Sequence, residues 1–429
     1  MDKLLRISLI ALILTACQNS WQGVRDGDYD DFGGGEPVPV LVGVGGSGVS
    51  YSKGSGAVDG IDGKKWADVN VYVYAFNQDG SSFSTTAASS GNGCLVDASL
   101  DNAGWRSGRK AYYDGSDGYL SWVDSEKEAY YPTGREIYDF YAYYIDNLDI
   151  PQSSISRGRD KISFPVTIDG SIDLMTGKAP LSETVFKGTL LSETEKALVR
   201  KYAFSSYTAR RNINPKLEFT HHLPRLRFEL YPASDGANTV MVNSVEVKSK
   251  TRGTFTVVSR KQSELGVNFS SGRSPLYLAE ADGSALKQDT YHTDYNGDFT
   301  DVLYERPHVQ VGGSLLVAPD TEYEVKIEMR EAKGQSYKTT SSFTIRTPSG
   351  FQAGRQYVVR LAIYGMMDVR PNVEVEPWGT GGSIILDEED KINNITILNP
   401  NDYEKISFTR SCCLRSVGSL HQERTDQCS

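Results

Sequence analysis

The stretch WADVNVYVYAF, residues 66–76, places Val69, Val71, Val73 and Ala75 on one side of an extended chain. Alternation of this kind has the two-residue period of a β-strand, not the 3.6-residue period of a helix. The same signal recurs outward from it. Candidate strands occupy residues 94–100, 119–123, 138–144 and 161–168, then KLEFTHHLPRLRFELYPA at 216–233. Further candidates lie at 240–248, 253–258, 276–279, 314–318, 323–330, 341–346, 357–364 and 373–378. One segment departs from the pattern. Ser192-Glu193-Thr194-Glu195 is a capping-box arrangement ahead of KALVRKYAF and predicts a short helix. Regularly spaced short strands, turn residues between them and little helix predict an all-β fold of β-sandwiches.

At 429 residues the chain suits two domains, and the boundary is expected near residue 215. That gives sandwich domains at 37–215 and 216–390, followed by an extension at 391–429. Hydrophobic residues make up 39% of the chain, enough to fill such cores, and Tyr is frequent at 25 against six Met. Net charge is −10, from 45 basic and 55 acidic side chains, and no dense Lys/Arg stripe is present. That balance repels a phosphate backbone and excludes nucleic acid as a partner. The five cysteines, Cys17, Cys94, Cys412, Cys413 and Cys428, form no CxxC pair, so zinc ribbons and thioredoxin-like chemistry find no support.

The first twenty residues, MDKLLRISLIALILTACQNS, carry Lys3 and Arg6 ahead of a short apolar core at residues 7–14. The core is too short for a permanent span and has signal-peptide length. Leu14-Thr15-Ala16-Cys17 then follows the order read by lipoprotein signal peptidase, with the Cys17 thiol as lipid acceptor. Residues 1–17 are therefore expected to be a lipoprotein signal, and the mature chain to be bacterial, exported and tethered to a membrane by its acyl chains. Residues 18–36 are polar, contain Asp26, Asp28, Asp30 and Asp31, and read as a flexible acidic tether. PVPVLVGV at 37–44 reads as a short strand whose two prolines confine it to a sheet edge.

Catalytic patterns are lacking. HExxH, GxSxG, Walker A and a GxGxxG in strand–helix context are all missing from the sequence. His221 and His222 are neighbours in a strand pattern and point to opposite faces, which favours structural roles. DYNGD at 294–298 has alternate oxygen ligands, but its Asn and Gly favour a turn over a calcium loop. YYPTGREIYDFYAYY at 130–144 concentrates aromatic residues. Tyr138, Phe140, Ala142 and Tyr144 face one way, Asp139, Tyr141 and Tyr143 the other, and one row is expected to be core. The other row could stack on sugar rings.

In order and spacing, YYPTGREIYDFYAYYIDN (130–147), DLMTG (173–177), LEFTHHLPRLRFEL (217–230), AGRQYVVRLAIYG (353–365) and VEVEPWGTGG (373–382) resemble the fimbrillin-like proteins of Bacteroidales. The resemblance covers roughly residues 37–387. It implies two tandem transthyretin-like (Ig-like) β-sandwich domains in a stalk, tip or anchor subunit of a type V pilus, without enzymatic activity, cofactor or metal. It also implies a precursor lipoprotein of the outer membrane whose N-terminal segment is removed at the surface by a trypsin-like or arginine-specific protease. The candidate cleavage sites are Arg25 and Lys53; cleavage at Arg25 leaves residues 38–44 attached. The strand to be displaced carries Val38, Val40, Val42 and Val44. Candidate donor material is GSIILDEEDKINNITIL at 382–398, with Ile384, Ile385, Ile395 and Ile397. Implied partners are other pilus subunits, the lipid anchor in the membrane, and a host or bacterial surface glycan or protein. The competing reading is a surface-tethered glycan-binding lipoprotein that grips polysaccharide through Tyr141 and Tyr143.

Overall fold

The structure is a computed structural model. It describes residues 37–44, 70–80, 82–84, 94–97, 106–113, 119–123, 128–146, 150–181, 183–186, 190–331 and 338–376. The first strands are β1 (Val38–Pro39), β2 (Gly43–Val44), β3 (Asn70–Asn77), β4 (Cys94–Val96), β5 (Arg109–Tyr113) and β6 (Leu120–Trp122). They are followed by β7 (Tyr130–Tyr131), β8 (Tyr138–Ile145), β9 (Ser156–Arg157), β10 (Lys161–Thr167) and β11 (Leu174–Lys178). Helices α1 (Glu193–Lys201) and α2 (Ser206–Ala209) lead into β12 (Lys216–His221) and β13 (Arg225–Pro232). The remainder is β14 (Val240–Lys250), β15 (Arg252–Ser259), β16 (Gly266–Phe269), β17 (Arg273–Tyr277), β18 (Tyr291–His292) and β19 (Val309–Leu316). Last come β20 (Asp320–Glu331), β21 (Lys338–Phe351), β22 (Gln356–Gly365) and β23 (Asp368–Glu376).

The protein is all-β and built as two sandwiches. In the first, a large sheet of order β2-β12-β11-β8-β3-β5-β6 packs on a small sheet of order β16-β15-β10-β9. Aromatic rings join the two layers: Tyr143 lies 5.5 Å from Phe164 and 6.3 Å from Phe255, ring centre to ring centre. In the second, sheet β19-β13-β22-β23 faces sheet β17-β14-β20-β21. Its core follows from strand alternation, with Leu226, Phe228 and Leu230 on β13 meeting Val325, Ile327 and Met329 on β20.

β3 explains why the large sheet is stable. Val71, Val73 and Ala75 are buried on one face, and Tyr74 and Phe76 on the other. The row of β8 behaves likewise. Phe140, Ala142 and Tyr144 are inside, and so are Tyr141 and Tyr143. One buried row was expected and both are buried, because the small sheet covers one face while residues 38–44 and the α1–α2 region cover the other. An ion pair links the layers at the edge. Arg157 on β9 holds Asp97, just after β4, at 2.7 Å with both side chains fully buried.

The helix follows its sequence signal. Ser192 caps α1, accepting from the Glu195 N–H at 3.3 Å, while the Glu195 carboxylate accepts from the Ser192 N–H at 2.7 Å. A second, single-turn helix, α2, was not anticipated. A cut at 215/216 is not respected by the strand pairing. The run at 216–233 breaks at Leu223-Pro224 into β12, which pairs with β11 in the first sandwich, and β13, which belongs to the second. Pro224 lacks a ladder donor and stands where the chain leaves one sheet for the other. β15 also returns to the first sandwich, pairing with β10 over Lys161↔Ser259 to Thr167↔Arg252 and delivering Phe255 to its core.

Candidate functional site

Residues 38–44 form the candidate site. Val38 and Pro39 pair antiparallel with Tyr131 and Tyr130, and the Val40 N–H donates to the Ala129 carbonyl at 2.7 Å. The Leu120 N–H donates to the Val42 carbonyl at 2.8 Å, and the Gly43 N–H to the Pro215 carbonyl at 2.8 Å. Gly43 and Val44 then run parallel to Lys216 and Leu217 on β12, while Gly43 also bridges antiparallel to Tyr119. The large sheet begins at β12 and ends at β6, beside Tyr119. One short segment therefore closes both of its edges, covering backbone groups that would otherwise pair with another chain.

Side chains reinforce the backbone. Val40 and Val42 are 3% and 0% exposed, and Val38 and Val44 pack half-buried on the same cluster. Their seat includes Val71, Val73, Phe140, Met175, Leu217 and Phe219. Burying a valine stabilises by about 1.5–3 kcal/mol, so the two interior valines supply most of the segment's hold. Pro39 and Leu41 face outward and are exposed. The Tyr131 ring is buried in the same cluster; its hydroxyl finds no hydrogen-bond partner among the described residues, and burial pushes its phenol pKa up. Beside Gly43, the Asn214 side-chain amide donates to the Tyr119 hydroxyl at 3.2 Å, spanning the same two edges.

The other expected sites fall apart differently. Tyr141 and Tyr143 are 1% and 0% exposed, and the Tyr143 hydroxyl donates to the Ser107 carbonyl at 2.8 Å. Neither can stack on a sugar, which removes the residues on which the glycan reading rested. His221 Nδ1 lies 2.9 Å from the Asp173 carboxylate and His222 Nε2 2.7 Å from the Thr176 hydroxyl, on opposite faces. Burial lowers the His222 pKa to about 4. DYNGD is irregular backbone bent at Gly297 that leads into a turn at 299–300; the Asp298 carboxylate accepts the Thr300 N–H at 2.9 Å and the Asn238 side-chain oxygen accepts the Tyr295 N–H at 3.0 Å. Among the described residues no group of three or more His, Cys, Asp or Glu side chains could hold a metal ion. Cys17, Arg25, Lys53, Ile384, Ile385, Ile395 and Ile397 lie outside the described residues, as do the tether, the extension from 391 and its three cysteines.

Sequence reasoning named the valines of the segment but not what they meet. Tyr119, Ala129 and Pro215 contact it through backbone groups from three separate loops, and no side-chain pattern signals that.

Fold comparison finds a protein assigned to cell adhesion from Bacteroides uniformis at 16% identity, covering 80% of this chain and 99% of that one with a TM-score of 0.44. A second protein assigned to cell adhesion, from Bacteroides eggerthii, aligns at 11% identity over 80% and 97% with a TM-score of 0.35. The fimbrial anchor protein Mfa2 from Porphyromonas gingivalis aligns at 11% identity over 80% and 99% with a TM-score of 0.30. No curated protein matches the sequence. The fimbrillin-like family matches residues 61–378, close to three quarters of the chain, and the chain belongs to that family.

Proposed function

We propose that the protein is a structural subunit, stalk, tip or anchor, of a cell-surface fimbria that supports adhesion, assembled by protease-triggered exchange of the strand at 38–44. The observation that carries this reading is the closure of both edges of the large sheet by one short segment. Its loss leaves the edges at Tyr119 and Lys216 open and a valine-shaped groove exposed to water. A strand from a second subunit restores the ladder by β-augmentation, its backbone supplying affinity and its alternate side chains specificity. The segment at 382–398, with isoleucines at 384, 385, 395 and 397, has the composition of such a donor.

In this reading Cys17 carries the lipid that anchors the precursor in the outer membrane, and Lys53 is the cleavage site that frees the segment. The two sandwiches then act as one body, because β12, β15 and β16, all after residue 215, complete the first of them. No enzymatic step is required, in keeping with a fimbrillin-like protein. In the glycan-binding alternative neither Tyr141 nor Tyr143 can offer a stacking face, because both rings are buried.

The test is limited trypsin treatment of the chain lacking residues 1–17, followed by sizing. A trimmed form that multimerises is the expected result, with Lys53→Gln, Lys64→Gln and Lys65→Gln together blocking release of residues 38–44 and assembly while Arg25 stays cleavable. A chain that stays monomeric after losing everything before Gly54 overturns strand exchange. Incorporation of labelled palmitate, abolished in Cys17→Ala, checks the anchor.

A further inference from the structure

Where β3, β8, β11 and β12 run side by side, a cleft of about 370 Å³ opens beyond the reach of the core. Its polar lining comes from each of those strands or its end, in sheet order: Gln78, Asp139, Lys178, then Glu218 and Thr220, with Gln262 entering from the turn between β15 and β16. Lys178 stands directly opposite Glu218 on one side and Tyr141 on the other. Neighbouring strands set such side chains about 4.8 Å apart.

The lining is organised but unsatisfied. Gln78 donates to the Asp139 carboxylate at 3.1 Å, and the Lys178 ammonium lies 5.2 Å from the Tyr141 ring centre. Glu218, Thr220 and Gln262 make no side-chain hydrogen bond to another described residue, and Lys178 has no ion pair among them. Across the floor the sequence of groups is amide, carboxylate, ammonium, carboxylate. An anion meets two carboxylates there, and a cation meets the ammonium. A hydroxyl group suits every station, because it donates to Asp139 or Glu218 and accepts from Lys178 or Gln262. Leu181 and Phe204 add an apolar wall for C–H surface.

We propose that this cleft binds a neutral carbohydrate, taking one sugar ring whose adjacent hydroxyls bridge Asp139, Lys178 and Glu218. The volume is at the lower end of the roughly 300–1,000 Å³ typical of small-ligand sites, which matches one ring and not an extended chain. Tyr141 is a positioning residue here. It presents no face to the sugar, and its ring lies 5.2 Å from the Lys178 ammonium, which it helps to hold in place.

Saturation-transfer NMR on the chain lacking residues 1–17 tests it, with D-galactose, D-mannose and N-acetyl-D-glucosamine as neutral probes and N-acetylneuraminate and D-glucosamine as charged comparators. At least one neutral sugar is expected to bind in preference to both charged ones. Lys178→Met and Glu218→Gln should each weaken it by about tenfold or more, the loss of one charge-assisted hydrogen bond. Glu218 is exposed and Lys178 half-buried with no ion pair among the described residues, so thermal unfolding should change little in either variant. Binding of none of the neutral sugars, tighter binding of a charged one, or affinity unaltered by both substitutions overturns the proposal.

Discussion

Replacing Asp146 with asparagine is predicted to stabilise the fold at neutral pH and to leave it nearly unchanged in acid. Asp146 follows β8 and is 4% exposed. The Tyr144 hydroxyl donates to its Oδ1 at 2.5 Å, and its Oδ2 meets no partner among the described residues. Burial raises its pKa from 3.8 to about 6; the Tyr144 bond pulls the other way, and the Asp173 and Asp169 carboxylates add to the rise. At 1.36 kcal/mol per unit, a shift of about two units makes the ionised carboxylate cost about 3 kcal/mol. Because the folded pKa is raised, the folded state binds more protons between the two values. The contribution to stability is therefore complete below pH 3.8 and lost as pH rises through about 6.

Asparagine keeps the acceptor for Tyr144 and removes the charge, but its amide N–H must find an acceptor, so the net gain is about 2 kcal/mol at neutral pH. His222 sharpens the experiment. Burial first, and His221 second, lower its pKa from 6.5 to about 4, so its share of stability is lost as pH falls across that window. In the native protein the two slopes oppose each other between about pH 4 and 6. In the variant the His222 slope stands alone. Thermal unfolding from about pH 4 to about pH 7.5 should show the variant roughly 3 °C higher at the neutral end, the two proteins converging in acid. A shift of equal size at both ends, or no gain at neutral pH, refutes the reasoning.

Asp97→Ala strands the buried Arg157 guanidinium and should destabilise by about 3–5 kcal/mol, read as a lowered unfolding midpoint in denaturant. Val42→Ala leaves a gap under the closing segment and should cost about 2 kcal/mol; amide exchange across residues 38–44 should rise more than in β13 or β22. Gly108 has φ +88°, and a Cβ there would lie 2.9 Å from a Tyr74 ring carbon and 3.1 Å from the Val73 carbonyl oxygen. Gly108→Ala should therefore cost about 1–3 kcal/mol in thermal unfolding.

Strand periodicity carried most of the fold. The alternation at 70–76, the capping box at 192–195 and the strands between 314 and 376 lie where period and composition place them, because each is decided by neighbours in the chain. What the sequence hid depends on contacts distant in it. β11 (LMTGK) is covered on both faces, and β5 (RKAYY) buries Arg109 while leaving Tyr112 exposed, so no clean alternation survives in either. Tyr141 and Tyr143 are interior because β15, more than 100 residues later, returns to lay Phe255 against Tyr143. The valines at 38–44 announce a strand, but nothing local tells that Gly43 meets both Tyr119 and Lys216. The cleft at Lys178 was equally silent, since its groups are single polar residues on four strands that only the register assembles.

The double pairing of residues 38–44 also sets how its hold depends on molecularity. Through residues 45–69 the segment is covalently joined to β3. While that link is whole, each opening is followed by return from an effective concentration of order millimolar, set by linker length and independent of how dilute the protein is. A single cut at Lys53 changes no contact in the groove, yet it makes the segment a free peptide whose return competes with dilution. The same few kilocalories that keep an intact chain closed then describe a weak bimolecular complex. Cleavage at Arg25 has no such effect. Occupancy of the groove would thus be governed by which peptide bond is broken, with the strength of the valine contacts held constant.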